Sequence, residues 1–396
     1  MVLRNARIYT PFEEIYRGYV RIEGGKILDL GREPASSAQV CVEEDLEGMM
    51  VGPGFIDTHI HGAHGFDVME GSREAILEIS KALARHGVTS FIPTSVTASQ
   101  EDLLRVSRAV CDAMRAQKGH LNGSRILGLH MEGPYINPRR AGAHDVSYIR
   151  KPDLEEVLEI ISLCGGLRGI TLAPEIEGAL DLVKSLSEKG VTVQAGHSNA
   201  TYEETLRAIY VGVSKATHLY NAMREIHHRE PGIAVALLES PQVYLELIAD
   251  MIHVSPAMLR LTVRYAGVER IALVSDAIAA SGLGDGIYHL GRLRVRVERG
   301  VAKLEGSDVI AGSTILLDKA FKNMASLGYK VAEIFMMSST APARSAGADR
   351  VERIGILRPG YTADLVILDR SLQVVTTIIG GRIIYKDKDF NKFLSL

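Results

Sequence analysis

The 396-residue sequence has no tryptophan, only 6% aromatic residues and three cysteines. It also lacks any apolar run near the ~20 residues that a membrane-spanning helix requires. Cys41, Cys111 and Cys164 are odd in number and widely spaced, with no CxxC among them. That pattern supplies neither a disulfide framework nor a thiolate metal site, and it fits a reducing compartment. A large excess of one charge is missing too. The formal net charge is -3, so there is no global basic field to attract nucleic acid or an anionic membrane. A phosphorylated or acidic ligand would therefore need a local cluster of positive charge. The N-terminus carries Arg4, Glu13, Glu14, Arg17 and Arg21, unlike the apolar core of a secretory signal. The expectation is a cytoplasmic protein with neither nucleic acid nor membrane as partner.

What is present is an ordinary globular balance, 46% apolar and 23% charged. The length suits a barrel of about 250 residues plus one accessory module. Both termini read as short alternating strands with glycine turns. Gly18 to Glu23, the Gly24-Gly25 turn and Lys26 to Leu30 form one such unit. Ala363 to Asp369, Val374 to Ile379, the Gly380-Gly381 turn and Arg382 to Tyr385 form another. Between them, strand and amphipathic helix alternate through eight candidate strands: 54–61, 88–93, 126–132, 170–174, 192–197, 216–219, 244–249 and 271–275. The spacing predicts helices over 73–85, 101–116, 152–163, 203–211 and 256–265. This alternation predicts an α/β fold, a (β/α)8 TIM-type barrel, with a small β-sandwich domain built from both termini. An open doubly wound sheet is the other solution, weakened because no GxGxxG follows the first strand. The expected division is 1–52 and 346–396 for the β domain and 53–345 for the barrel. A hairpin is expected at Gly286 to Gly306, around Arg299-Gly300.

The candidate chemical residues fall at the C-terminal ends of these strands, where barrels build their sites. His59 and His61 end the first strand, two residues apart and so on one side of it. Glu132 ends the third, His197 the fifth and His218 the sixth. Any one of these has a bland structural explanation. Five nitrogen and oxygen donors on one face, without a competing thiolate, instead point to a divalent cation such as Zn²⁺ or Fe²⁺. Asp276 ends the eighth strand, where a carboxylate beside a metal can move a proton as general base and acid. Arg139 and Arg140 form a basic pair that reads as solvated, and His64 and His130 lie near the site without an assigned role.

The run Pro53-Gly54-Phe55-Ile56-Asp57-Thr58-His59-Ile60-His61-Gly62 resembles the first barrel strand of the amidohydrolase superfamily. His130-Met131-Glu132-Gly133-Pro134, His218-Leu219-Tyr220-Asn221-Ala222-Met223, Arg229-Glu230-Pro231-Gly232 and Ala249-Asp250-Met251-Ile252-His253-Val254 narrow the likeness. In that order they resemble the N-acetylglucosamine-6-phosphate deacetylase family, over the whole chain. The resemblance implies hydrolysis of an amino-sugar phosphate acetamide by a metal held on Glu132, His197 and His218, with Asp276 transferring protons. It implies that Asn221 and Ala222 help bind the phosphate. Arg229 and His253 would reach it from the neighbouring subunit of a homodimer. It places His144 near the acetamide and sugar, and closes the loop of Ile310, Ala311, Gly312 and Ser313 over the sugar. His59 and His61, absent from some members, leave room for one or two cations per subunit. A different amidohydrolase acting on a cyclic amide or aryl amine remains an alternative. So does a non-enzymatic barrel homologue.

Overall fold

The computed structural model describes residues 1–32 and 43–388; Cys41 lies outside them. Eight parallel strands follow one another around a barrel: Phe55–Ile60, Val88–Ser95, Leu129–Glu132, Leu167–Leu172, Thr192–Ala195, Val213–Ala216, Tyr244–Ile248 and Ile271–Val274. The eighth returns to the first through main-chain bonds, Asp276 N–H to His59 O (3.0 Å) and His61 N–H to Ala277 O (2.8 Å). The barrel is therefore the observed solution, and the open doubly wound sheet is not. Four of these eight strands are buried along their whole length and the other four at all but one residue, as expected of strands covered on both faces.

A helix follows each strand, and the starts are set by local chemistry. Ser72, Ser99, Thr201 and Ser255 accept a main-chain N–H three residues on, and Asp153 accepts from Glu155 and Glu156. Thr201 and Glu204 add a reciprocal capping box. Three of these eight were not expected, including Leu317–Ser326 after the eighth strand. Ala179–Glu188 starts after Gly178 with no side-chain cap. Gly232–Glu239 buries Ile233, Ala234, Ala236 and Leu237, an apolar run without the polar stripe that marks a surface helix. The third strand is interrupted after Arg125–Ile126 at Gly128, where φ is 137° and a side chain would collide with Gly166 O.

The expected hairpin at 286–306 is a three-stranded antiparallel meander, Gly286–Leu290, Leu293–Glu298 and Val301–Leu304. A second tight turn at Gly291-Arg292 was missed. The termini form one eight-stranded sheet, with Met50–Pro53 lying between strands from the two ends of the chain. It encloses its own apolar cluster, including Leu3, Ile8, Val20, Leu365 and Ile378. The two glycine turns meet, with Ala363 N–H on Gly25 O and Gly381 N–H on Ala363 O, each 2.9 Å. Tyr9 of this sheet packs on Phe335, which also contacts Phe55 at the start of the first barrel strand.

One expectation from composition is overturned. Cys111 and Cys164 form a disulfide, with Cα atoms 6.1 Å apart across a sequence separation of 53. They sit on the helices Gln100–Gly119 and Leu154–Cys164, which are neighbours around the barrel, a proximity that linear spacing conceals. Cysteine usage therefore gives no argument for a reducing compartment. Among the described residues, no helix is long and apolar enough to cross a membrane.

Candidate active site

Glu132 is the last residue of its strand, while His61, His197, His218 and Asp276 lie one or two residues beyond theirs. There the chain leaves the ladder and turns. His197, His218 and Asp276 all have positive φ, 46°, 24° and 49°, a region that side-chain-bearing residues avoid. Such strain is held in place by surrounding structure and clusters at functional sites. Here it aims three polar side chains at one point.

That point is Glu132. Its Oε1 lies 2.8 Å from His218 Nε2 and 3.2 Å from His197 Nε2. Its Oε2 lies 3.2 Å from His61 Nε2, 3.3 Å from His144 Nε2 and 3.5 Å from His59 Nε2. Asp276 Oδ1 lies 3.2 Å from His61 and 3.4 Å from His59. All of these side chains are buried.

The outer nitrogens decide what the inner ones can do. His61 Nδ1 faces Thr94 O at 3.1 Å and His197 Nδ1 faces Arg140 O at 2.9 Å. Carbonyls only accept, so each Nδ1 carries the proton, and a neutral ring then presents a bare Nε2 lone pair. His59 is fixed the same way by Glu246 Oε2 at 3.0 Å. Yet His59 and His61 Nε2 are 3.3 Å apart, and His197 and His218 Nε2 are 3.1 Å apart. Lone pairs so placed repel unless a cation or shared proton lies among them. The buried residues thus fit a divalent cation in two groups, one around His59, His61 and Asp276 and one around Glu132 and His197.

His144 stands differently. It is within reach of the second group, but its Nδ1 accepts the Thr97 N–H at 3.0 Å. Its Nε2 therefore holds the proton and donates. His144 is placed as a hydrogen-bond donor beside Glu132, not as a ligand.

Without a cation, the electrostatics favour positive charge at His59 and His61, the charge that a bound cation would supply in place of a proton, and disfavour it at His144. Burial opposes a charged ring at His59, but Glu132 and Glu246 raise it well above the usual imidazole value. Burial also opposes charge at His61, where Asp276 and Glu132 raise it to about 9. Burial and the neighbouring His197 instead push His144 down to about 4. Burial would raise Asp276, but the bond to His61 and the charge of His59 bring it to about 2. Glu132 is held well below the ordinary carboxylate range despite burial, first by His59.

A cavity of about 350 Å³ opens above this cluster. His61, Glu132, His144, His197, His218 and Asp276 line it, with Asn221, Ala222, His253, Ile310 and Gly312. His59 lies beneath, fully buried. Ala311 and Ser313 are buried behind the lining; Ser313 N–H donates to Asp276 O at 2.7 Å and ties the loop to the eighth strand. His253 lines the cavity of its own chain, so it needs no neighbouring subunit to reach it. Arg229 is not brought there. It is exposed and contacts His228.

Several residues that sequence reasoning set aside lie at the site. Arg139 and Arg140 line the cavity and are not simply solvated; their place in the loop leading to His144 was the available signal. His130 is buried between Thr94 Oγ1 (3.3 Å) and Thr171 Oγ1 (2.8 Å), its ring edge-on to His59. His64 faces His86 and does not line the cavity. Glu246 and Lys215 were missed. Each is a charge inside an otherwise apolar barrel strand, 0% and 2% exposed, and they pair at 2.6 Å. Glu246 Oε2 also accepts the His218 N–H at 3.2 Å. Burial would raise this carboxyl, but Lys215 and His59 lower it. One carboxylate thus braces a histidine of each group.

Known proteins share this arrangement's frame. Residues 50–384 match the amidohydrolase family. The chain is 38% identical to N-acetylgalactosamine-6-phosphate deacetylase of Escherichia coli O157:H7, covering 96% of this chain and 98% of that one. It is 33% identical to N-acetylglucosamine-6-phosphate deacetylase of Bacillus subtilis (strain 168), with 98% of each covered. A mutant of the Mycobacterium smegmatis N-acetyl-D-glucosamine-6-phosphate deacetylase, solved with N-acetyl-D-glucosamine-6-phosphate, superposes with TM-score 0.90 at 35% identity, covering 98% and 99%. With the barrel, the strand-end cluster and these likenesses together, the chain belongs to the amidohydrolase family and within it to the amino-sugar-6-phosphate deacetylases.

Proposed function

We propose that this chain hydrolyses the acetamide of N-acetylglucosamine 6-phosphate to acetate and glucosamine 6-phosphate. The observation that carries the reading is the set of inward Nε2 atoms of His59, His61 and His197, together with His218, around Glu132 and Asp276 at the floor of one cavity. Glu132, His197 and His218 would hold the principal cation, Zn²⁺ or Fe²⁺ by the nitrogen and oxygen donor set. His59 and His61 with Asp276 would admit a second. When bound, the cation supplies Lewis acidity toward the amide carbonyl and toward an attacking water.

The chain's own groups do the rest. The Nε2–H of His144, fixed by Thr97, donates to the amide oxygen as negative charge develops there. Asp276, held ionised, takes a proton from the attacking water. It returns that proton to the nitrogen as the C–N bond breaks, so acetate and the free amine leave. Asn221, Ala222 and His253 bind the phosphate end, and the loop of Ile310 and Gly312 covers the sugar. Arg229, exposed and away from its own chain's cavity, would complete the site of a partner in a homodimer.

One relative is named for the galactosamine epimer, so the test uses both sugars. Metal content is measured on the purified protein, and acetate release is followed with N-acetylglucosamine 6-phosphate, N-acetylgalactosamine 6-phosphate and dihydroorotate. Cation-dependent deacetylation of one or both phosphorylated sugars, and none of the cyclic amide, is expected. Full activity after exhaustive chelation, or turnover of the cyclic amide alone, would overturn the reading.

A further inference from the structure

His64 and His86 form a pair that the proposed reaction leaves unused. His64 lies three residues beyond His61, and His86 follows the helix Arg73–Ala84. Their Nε2 atoms face each other at 3.4 Å. That spacing is long for a hydrogen bond, for which ~2.7–3.2 Å is usual. It matches two nitrogens sharing one tetrahedral Zn²⁺, which stand about 3.3 Å apart when each bond is ~2.0–2.1 Å.

The surroundings suit both nitrogens to a cation. His86 Nδ1 faces Asp318 Oδ2 at 2.9 Å, in the first turn of the helix Leu317–Ser326. A carboxylate accepts, so Nδ1 carries the proton and Nε2 is bare in the neutral ring. A carboxylate behind the imidazole is the arrangement that orients metal-bound histidines and raises their basicity. At His64, burial, then the neighbouring His86 and Arg85, disfavour the protonated ring, and a neutral ring can present its lone pair at Nε2. The His64 backbone is pinned at φ 51° by its N–H bond to Ser281 O at 2.8 Å. Its ring lies against Gly282, where a Cβ would come within 2.3 Å of Nε2. His64, His86 and Asp318 are all partly exposed, which leaves room for an ion to enter with its remaining water ligands.

We propose that His64 Nε2 and His86 Nε2, backed by Asp318, bind one Zn²⁺ or similar divalent cation outside the substrate cavity. The cation fastens the loop after the first barrel strand to the end of the helix Arg73–Ala84 and, through Asp318, to Leu317–Ser326. The same loop bonds to the chain beyond Asp276, through Gly65 N–H to Ala279 O at 2.7 Å. The site therefore clasps the two segments that leave His61 and Asp276.

The test titrates Zn²⁺ alone into the full-length protein and into His86→Gln and His64→Asn, the latter because Asn tolerates positive φ. Zinc per chain is counted by elemental analysis at saturation, and no turnover is needed. Wild type is expected to hold one more zinc per chain than either variant. Asp318→Asn is expected to keep that extra zinc and to weaken its binding by about 10- to 100-fold. Once the active site is loaded, further zinc should raise the Tm of wild type and not that of His86→Gln. An extra zinc with no change in Tm overturns the clasp. Equal zinc counts in wild type and folded variants overturn the site itself and leave the pair a long hydrogen bond. If both substitutions prevent folding, a zinc-edge anomalous map of zinc-soaked wild-type crystals decides. Density between the two Nε2 atoms supports the site, and its absence overturns it.

Discussion

Asp276 shows how much one residue's surroundings decide. Its backbone is held at φ 49° and its main-chain N–H is bonded to His59 O, so the carboxylate projects into the cluster rather than capping the following turn. Replacing it by Asn keeps shape but removes the proton acceptor. Asp276→Asn is expected to retain metal and fold while losing roughly 10²- to 10⁴-fold in kcat; a loss below tenfold would move proton transfer to another group. Glu246 acts one step further from the reaction. It orients His59 through Nδ1 and His218 through the main chain. Partners in that position typically govern metal affinity by 10- to 100-fold. Glu246→Gln should weaken metal binding in about that range, measured by competition with a chromophoric chelator. Unchanged affinity and stoichiometry would reduce Glu246 to a packing role. Because Lys215 would be left buried beside a neutral amide, Lys215→Met with Glu246→Gln serves as the folding control.

At the scale of elements, the strand ends that build the site were legible because five of the eight apolar runs terminate at His61, Glu132, His197, His218 and Asp276. The boundaries were less so. The sixth strand is Val213–Ala216, earlier than the expected 216–219, since Lys215 reads as a surface residue unless its buried partner Glu246 is known. The helix Gly232–Glu239 was invisible for the opposite reason, its lack of polar contrast. The disulfide between the helices Gln100–Gly119 and Leu154–Cys164 belongs to this scale as well. Closing a loop of this length restricts the unfolded chain, an effect worth about 2–4 kcal/mol. Denaturant unfolding with and without reductant should show a loss of that order, reproduced by the Cys111→Ser, Cys164→Ser double variant. Identical midpoints in all three cases would mean that the thiols are unpaired in solution.

At the scale of the whole molecule, the terminal sheet and the barrel are joined through Tyr9, Phe55 and Phe335. The chain therefore has to return its last strands beside its first. The proposed dimer adds a second level of assembly. If Arg229 serves a partner's site, mixing Arg229→Ala with Asp276→Asn protein should restore part of the lost activity. Each mixed dimer then holds one site carrying both lesions and one carrying neither. Proven subunit exchange without any recovery would remove Arg229 from the site.

Periodicity and motif order by themselves determined the barrel, the split terminal sheet and the strand-end positions of His59, His61, Glu132, His197, His218 and Asp276. These are local quantities: alternation, helix capping and the residue that ends an apolar run. The tertiary structure alone decided which nitrogen of each histidine faces inward and that His144 donates where His197 offers a lone pair. It also decided that Arg139, Arg140 and His253 share one cavity while Arg229 does not. Lys215 and Glu246 meet inside the barrel, and Cys111 reaches Cys164, for the same reason. Closing the barrel brings together residues far apart in the chain, and only those contacts set a proton's position, a charge's partner or a thiol's neighbour.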